Sequence, residues 1–324
     1  MISTRARLAR CLAEYPFPHR ADKKDLRIIA DEICSACLRL KEKYADINAV
    51  EVDNLTLQQK SFLLDARIAS FDQLKGGYSR FVLYEKTGKL SLLVNEEDHL
   101  RIQSVMSGFV PDRVWREVNW ADDVLSESLM FAYSKKYGYL TSSISNIGTG
   151  LRISALMHLP ALALTDKLAS RLRASFDLGI SIRGIFGEGT RSTGYFYQVS
   201  NEITLGINEK EIIERVCSVT NYLLKEERIA RREIYKNRLD EIVYNAEKSL
   251  RSLKNLISVK AERAIDFLSY VRLANEYGLL ENCSRGLLNE IFTGLQAACA
   301  DNPKADIDRA ELMRKKTSEI VFRK

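Results

Sequence analysis

Histidine is scarce in this chain: His19, His99 and His158 are the only three in 324 residues. That scarcity bears directly on the six cysteines. Cys34 and Cys37 have C-x-x-C spacing, yet no second pair and no neighbouring His completes a zinc site. Ile28, Ile29, Ile33 and Leu38 surround them at helical spacing, which puts two small apolar residues on a buried helix face. No secretory leader is readable at the start, so reduced thiols are expected rather than a disulfide framework. Metal and thiol-redox chemistry are set aside. Also missing is any apolar run near the roughly 20 residues that span a bilayer. No membrane partner is expected, and the cytoplasm is the expected compartment. The charge balance lacks a strong bias: 49 basic and 43 acidic residues give a net +6. So small and even a surplus does not argue for nucleic acid, and no such partner is expected. A pocket gathering several arginines around an anion accounts for the surplus equally well. Internal repeats and low-complexity linkers are absent too.

What is present reads as two parts. Apolar spacing predicts a helix over Ala21–Tyr44, a strand near Ala49–Val52 and a second helix over Leu55–Ile68. Phe81–Tyr84, a Glu-Lys-Thr-Gly turn and Lys89–Val94 predict a β-hairpin, followed by an extended segment at Leu100–Val105. Pro111–Tyr133 reads as one long amphipathic helix. Arg152–Leu159 reads as a central strand, Leu162–Phe176 as a helix, and Ile180–Ile185 and Tyr195–Val199 as further strands. Helix resumes near Asn208 and dominates the rest, with no glycine from Arg232 until Gly278. The expected fold class is α+β, a largely antiparallel sheet flanked by helices. The expected domains are 1–232, catalytic, and 233–324, helical.

Three stretches depart from ordinary core and surface. Asn95-Glu-Glu-Asp-His-Leu-Arg-Ile-Gln103 sets three acids between two apolar strands, where a solvated turn and a pocket at the sheet edge are the two readings. Gly138–Arg152 combines hydroxyls, an amide and two glycines ahead of a strand, a loop able to aim backbone N–H groups at an anion. It is no P-loop, since Gly-Lys-Ser/Thr is absent. Arg183-Gly-Ile-Phe-Gly-Glu-Gly-Thr190 is glycine-rich with one Arg and one Glu; as plain structure it is a long hairpin loop. His99 suits a structural hydrogen bond at the strand edge better than acid–base work, and His158 suits the core.

Together these stretches resemble the ATP:guanido phosphotransferases, the superfamily of creatine and arginine kinases. Asn95-Glu-Glu-Asp-His-Leu-Arg101 matches the family's acidic signature, and Ser3-Thr-Arg-Ala-Arg7 its Ser-x-Arg-x-Arg nucleotide motif. Asn146-Ile-Gly-Thr-Gly-Leu-Arg152 and Arg183-Gly-x-x-Gly match two further phosphate-binding segments. Within the superfamily the chain is most similar to the bacterial protein-arginine kinases. That branch begins near the Ser-x-Arg-x-Arg motif, uses a Gly-Glu-Gly loop (here Gly187-Glu188-Gly189) and has a helical C-terminal domain.

The resemblance implies transfer of the γ-phosphoryl group of ATP to arginine side chains of proteins. It implies nucleotide contacts at Ser3, Thr4, Arg5, Ala6 and Arg7, at Arg101, and at Arg152, Ile153, Ser154, Ala155 and Leu156. A last group is Arg183, Gly184, Ile185, Phe186, Gly187 and Glu188. Arginine suits a phosphate clamp because it stays charged and offers a planar fork. Mg²⁺ is expected with ATP, held mainly by the nucleotide, with no metal site on the protein. A guanidinium is a poor nucleophile while protonated. Carboxylates must therefore grip it, hold it in line and accept a proton. Glu97 and Glu188 are the candidates, with Glu96 supporting.

The family's thiol in the Cys-Pro-Thr/Ser-Asn segment is replaced by Ser143, a neutral hydroxyl that still hydrogen-bonds, and weaker activity is expected. The family's nucleotide-contacting His aligns with Arg67. The branch's Arg-Asp-x-x-Arg-Ala phosphoarginine pocket corresponds to Ala305-Asp-Ile-Asp-Arg-Ala310, which keeps Asp306 and Arg309 but not the first Arg. Such a pocket and an ordinary helix start are both open. Partners implied are proteins with exposed arginine, an activator protein, a protease or chaperone, and a second copy of the chain. The competing functions are a kinase of free arginine or another small guanidino compound, and an adaptor of the same fold with a weakened site.

Overall fold

The computed structural model describes residues 1–176, 178–185, 192–297 and 303–323. Its centre is an eight-stranded antiparallel sheet whose strands lie in the order Ile47–Glu51, Phe81–Glu85, Leu90–Val94, Leu100–Ser107, Ser3–Arg10, Leu151–His158, Phe196–Asn201 and Ile180–Gly184. In chain order the first elements are β1 (Ser3–Arg10), α1 (Lys23–Ala36), β2 (Ile47–Glu51), α2 (Leu57–Asp65) and α3 (Phe71–Leu74). The β3 (Phe81–Glu85), β4 (Leu90–Val94) and β5 (Leu100–Ser107) meander follows, then α4 (Pro111–Ser126). A ribbon of β6 (Tyr133–Ser134) and β7 (Gly138–Tyr139) leads to β8 (Leu151–His158), α5 (Pro160–Leu164), α6 (Leu168–Phe176), β9 (Ile180–Gly184) and β10 (Phe196–Asn201). The C-terminal part holds α7 (Glu209–Asn237), α8 (Leu239–Asn255), α9 (Ala261–Glu276), β11 (Leu280–Glu281), α10 (Arg285–Ala297), α11 (Pro303–Thr317) and β12 (Val321–Phe322).

The α+β, antiparallel expectation holds, and three local differences have physical causes. The arginine-rich start, for which the sequence suggested no element, is a central strand. Its period-2 pattern sends Ala6 and Leu8 into the core and leaves Arg5 and Arg7 on the other face. The helix expected over Pro111–Tyr133 stops at Ser126, and Phe131 instead bridges Leu12 beside β1. The helix expected over Leu162–Phe176 breaks in two where Asp166 takes a left-handed backbone (φ 57°). Aspartate tolerates that conformation better than most residues.

α4 and α7 cover one side of the sheet, while α2 and α3 pack on Val82 and Leu93 at the other. The stripe Val114, Val118, Ala121 and Leu125 of α4 and the buried residues Ile212, Val216, Val219 and Leu223 of α7 pack there with Leu8, Leu92, Ile102, Ile153 and Val199. α7 starts with a capping box, Asn208 with Glu211, and runs for 29 residues from this core into the helical region. A second core joins α8, α9, α10 and α11 and takes in Ile2, Leu156 and Phe196 from the sheet. The helical region thus packs on the end of the strands that carry the arginines.

Candidate active site

Antiparallel register decides which side chains share the face that carries the arginines. Arg7 stands opposite Gln103 on β5 and Arg152 on β8; Arg5 stands opposite Val105 and Ser154; Ser3 stands opposite Leu156. Arg101 lies beside Ala9, so it shares that face, as does Gln198 through its pairing with Leu156. Thr4, Ala6, Ile153 and Ala155 alternate to the opposite, helix-covered side, so only their backbones border the arginine face. Thr4 has work there: its hydroxyl donates to Gly108 O at 2.7 Å and accepts from Val110 N at 3.0 Å.

Arg5, Arg7, Arg67 and Arg101 line a pocket of about 250 Å³ with Ser3, Ser70, Gln103, Ser154, Leu156 and Ile185. Crowding of like charge is its main electrostatic feature. Burial and the neighbouring Arg67, Arg101 and Arg152 push the Arg5 guanidinium down to about 10. Arg5 itself, then burial, push Arg7 well down, with Glu96 opposing. Arg152 donates to Ser200 Oγ at 3.4 Å, while its buried Nε has no hydrogen-bond partner among the described residues. Cations gathered at this density suit a polyphosphate, whose charge and acceptor oxygens relieve both repulsion and unsatisfied donors.

Arg67 closes one wall. It follows α2 in a left-handed backbone (φ 56°), its Nη1 donates to Ser3 Oγ at 2.8 Å, and burial pushes it down to about 10. Its guanidinium lies 5.7 Å from the centroid of Phe292 on α10. Phe292 in turn leans on Phe196 at 4.3 Å.

The acidic signature forms the tight connection between β4 and β5. Asn95 turns it with a left-handed backbone (φ 56°), anchored by side-chain bonds to Leu26 O (2.8 Å) and Ser79 O (3.0 Å). Glu96 then points inward, ion-paired with Arg101 at 2.5 Å and bonded by Ser70 Oγ. Glu97 points outward with its side chain 49% exposed, 3.7 Å from the same Arg101. Both glutamates and Ser143 line a cleft of about 510 Å³ with His19, Tyr78 and Arg80. Arg101 therefore belongs to the arginine pocket and holds the acids of the adjoining cleft.

Asp98 and His99 serve the frame. Asp98 accepts from Ser142 N at 2.6 Å, Asn146 Nδ2 at 3.1 Å and the Cys11 thiol at 3.3 Å, which ties the segment carrying Ser143 to the acidic turn. Burial and Asp98 push the Cys11 thiol up to about 12, leaving it a neutral donor. His99 Nδ1 accepts from Leu12 N at 3.0 Å, so its Nε2 carries the proton and donates to Pro16 O at 3.0 Å. Burial pushes His99 down to about 4. It is a neutral structural residue.

The Gly-Thr-Gly loop is tied to the frame through its backbone. Gly148 N donates to Tyr139 O (3.1 Å) and Thr149 N to Thr204 O (3.0 Å), so both groups are committed to protein carbonyls rather than turned to an anion. Gly150 has φ +66°, and a Cβ there would stand 2.6 Å from Ala9 O. Next to it Arg10 is buried in a two-pronged pair with Asp122 of α4 (2.9 and 2.7 Å), donates to Thr149 O (3.0 Å) and lies over the Tyr139 ring.

Arg183 and Gly184 end β9. Arg183 is 72% exposed, 3.0 Å from Ser181 Oγ and 3.5 Å from Glu202. Phe186, Gly187 and Glu188 lie outside the described residues. Ser143 Oγ meets Ser145 Oγ at 2.9 Å. In the helical region Arg309 is buried, pairs with Asp306 at 2.5 Å and donates to Val259 O at 2.6 Å. Sequence reasoning missed Ser70, Gln103, Asp98 as an organiser and the Arg10–Asp122 pair. Register and burial select these, and no motif marks them except Asp98, which sits inside the acidic signature. Among the described residues no group of three or more His, Cys, Asp or Glu side chains is placed to hold a metal ion.

Comparison with known proteins gives the family and the fold. Residues 28–230 match the family model of the ATP:guanido phosphotransferase C-terminal catalytic domain. A protein-arginine kinase of Halothermothrix orenii is 34% identical over 97% of this chain and 92% of its own length. One of Pelotomaculum thermopropionicum is 34% identical over 99% of this chain and 93% of its own. Among solved structures, lombricine kinase aligns with a TM-score of 0.63 and 21% identity over 70% of this chain and 66% of its own. The duplicated taurocyamine kinase of Schistosoma mansoni with bound transition-state analogue components aligns with a TM-score of 0.62 and 25% identity, over 70% of this chain and 33% of its own. By motif, fold and sequence likeness, the chain belongs to the ATP:guanido phosphotransferase family, an ATP-using family of transferases.

Proposed function

We propose that this enzyme is a protein-arginine kinase that transfers the γ-phosphoryl group of ATP to arginine side chains of proteins. The observation that carries the reading is Arg101, which lines the arginine pocket and pairs with both glutamates of the adjoining cleft. A phosphate site and a guanidinium site thus meet at one side chain. Support also comes from relatives named protein-arginine kinase that align over nearly the whole chain.

In this reading Arg5, Arg7, Arg101, Arg152 and Arg183 hold the phosphates of ATP, with Ser3, Ser154, Leu156 and Ile185 around them. The backbones of Thr4, Ala6, Ile153, Ala155 and Gly184 border the site. Mg²⁺, carried by the nucleotide, would add neutralising charge. Glu97 grips the substrate guanidinium and accepts its proton as the N–P bond forms and the bond from Pγ to the β-phosphate oxygen breaks, releasing ADP. Glu96, fixed by Arg101 and Ser70, shapes the field, and Ser143 offers a hydroxyl where relatives of this family carry a thiol. Glu188, with Phe186 and Gly187, is carried over from the sequence motif. The division at residue 232, a cytoplasmic location, an activator protein, a protease or chaperone partner and a homodimer belong to the same proposal. No helix among the described residues is long and apolar enough to cross a membrane.

The test is to incubate the protein with Mg·ATP and either an unfolded protein or free arginine, then assay acid-labile phosphate. Label on protein arginine is the expected result. Label on free arginine alone would replace the proposal with a small-guanidine kinase. No label and no ATP binding would replace it with an adaptor.

A further inference from the structure

Past Ser3 and Leu156 the same strands run into a larger cavity of about 960 Å³, walled by Ile2, His158, α7, α9 and α10. Six cationic side chains line it: Arg228, Arg231, Arg232, Lys236, Arg272 and Arg285. Among the described residues only two carboxylates, Glu227 and Glu276, face them, and both have other commitments. Glu227 accepts from Ala161 N (3.2 Å), Leu162 N (2.9 Å) and Arg231 Nε (2.7 Å). Glu276 receives both arms of Arg285 (2.8 and 2.7 Å).

The remaining cations are arranged in two tiers. Arg228, Arg232 and Lys236 repeat every four residues along the exposed side of α7, with no ion pair or hydrogen bond among the described residues. Deep in the wall Arg272 is 4% exposed. Its Nη2 donates to Asn289, and its buried Nη1 has no hydrogen-bond partner among the described residues. Burial, with Arg231 and Arg285 alongside and Glu276 opposing, pushes this guanidinium down to about 10. A buried guanidinium with an unsatisfied arm is costly unless an anion completes it.

We propose that this cavity is a second anion site, separate from the arginine pocket, which binds a small phosphate anion carrying several charges, with Arg272 as its buried anchor and the α7 stripe as its rim. A single carboxylate would leave most of the rim unanswered, whereas a diphosphate offers several charges and forked acceptors. Tyr235 and Tyr277, whose rings stand 5.4 Å apart, give the same wall an aromatic edge. The phosphate could therefore come as the inorganic ion or on a nucleoside.

Calorimetric titration of the full chain with inorganic pyrophosphate, repeated with ADP, tests the site. Two binding events are expected. The double variant Arg228→Glu, Arg232→Glu should weaken one at least tenfold and leave the other, and Arg5→Ala should do the reverse. Arg272→Lys keeps the charge but loses the fork, and should weaken the same event as the α7 variant. Its melting temperature, followed in parallel, separates lost binding from lost folding. Tighter binding of ADP than of pyrophosphate in that event assigns a nucleotide, and the opposite order assigns the inorganic ion. A single event abolished by Arg5→Ala, or an α7 double variant that binds as the parent does, overturns the proposal.

Discussion

Arg67 and Phe292 meet between the end of α2 and α10: the guanidinium of one lies 5.7 Å from the ring centroid of the other, while the Nη1 of Arg67 donates to Ser3 Oγ in the arginine pocket. A residue after α2 is thus steadied by a ring of α10. Cation–π contacts contribute about 0.5–1 kcal/mol at exposed sites and ~2 when desolvated. Phe292→Leu keeps an apolar filler and removes the π face. ATP affinity is expected to fall about two- to tenfold, and the melting temperature to fall as well because Phe292 is fully buried. Unchanged affinity by calorimetry would show that the ring does not position Arg67.

Glu97 is half-exposed and its only ion pair among the described residues is 3.7 Å long, so it matters little to the fold. Glu97→Gln is therefore expected to leave thermal stability within about 0.5 kcal/mol. Loss of a positioned proton acceptor should lower the phosphotransfer rate by about 100-fold or more. Rate and melting curve are measured on the same sample, and an active Glu97→Gln enzyme would falsify the role assigned to this carboxylate.

His99 links stability to pH. Its folded pKa is about 4 against an ordinary 6.5, so between those values the unfolded chain binds more protons than the folded one. Its contribution is complete above about 6.5 and is lost as the pH falls toward 4. The neutral, deeply buried His158 adds to the same trend. Denaturant midpoints should drop between pH 6.5 and 4.5, and His99→Gln should flatten that slope. A His99→Gln protein with the parent's slope would assign the effect to other groups.

Gly148 and Gly150 are fixed by close backbone approach. A Cβ at Gly148 would fall 2.2 Å from Thr204 O, and one at Gly150 2.6 Å from Ala9 O, both at positive φ. Either Gly→Ala change should cost at least about 2–3 kcal/mol. Urea unfolding measures it. A loss below ~1 kcal/mol would mean that the loop moves away from β1 without penalty.

Much of this was legible in the residues because the chemistry is concentrated. Asn95–Arg101 and Ser3–Arg7 carry charges where strands should be apolar, and such costly placements announce a site. The alternation of Arg5 and Arg7 with Ala6 and Leu8 was equally present, but a strand this short and this charged is read as a motif before it is read as structure. What stayed hidden depends on neighbours far along the chain. Asp98 looks like one more acid of a charge run until Ser142, Asn146 and Cys11 converge on it. Arg67 is marked by its alignment with the family's nucleotide-contacting His, but its ring partner Phe292 lies more than two hundred residues further along the chain. The cavity of α7, α9 and α10 gathers its cations from separate helices, so no window of sequence contains it.

The place of β1 has a consequence for how the protein is made. Its partners, Leu100–Ser107 and Leu151–His158, leave the ribosome long after it does. At about 5–20 residues per second, Ser3–Arg10 waits several seconds for the first neighbour and several more for the second. Until then it is an unpaired, cationic strand in a growing chain. The centre of the sheet is therefore built late, and the wall of arginines forms only once distant segments have closed around it.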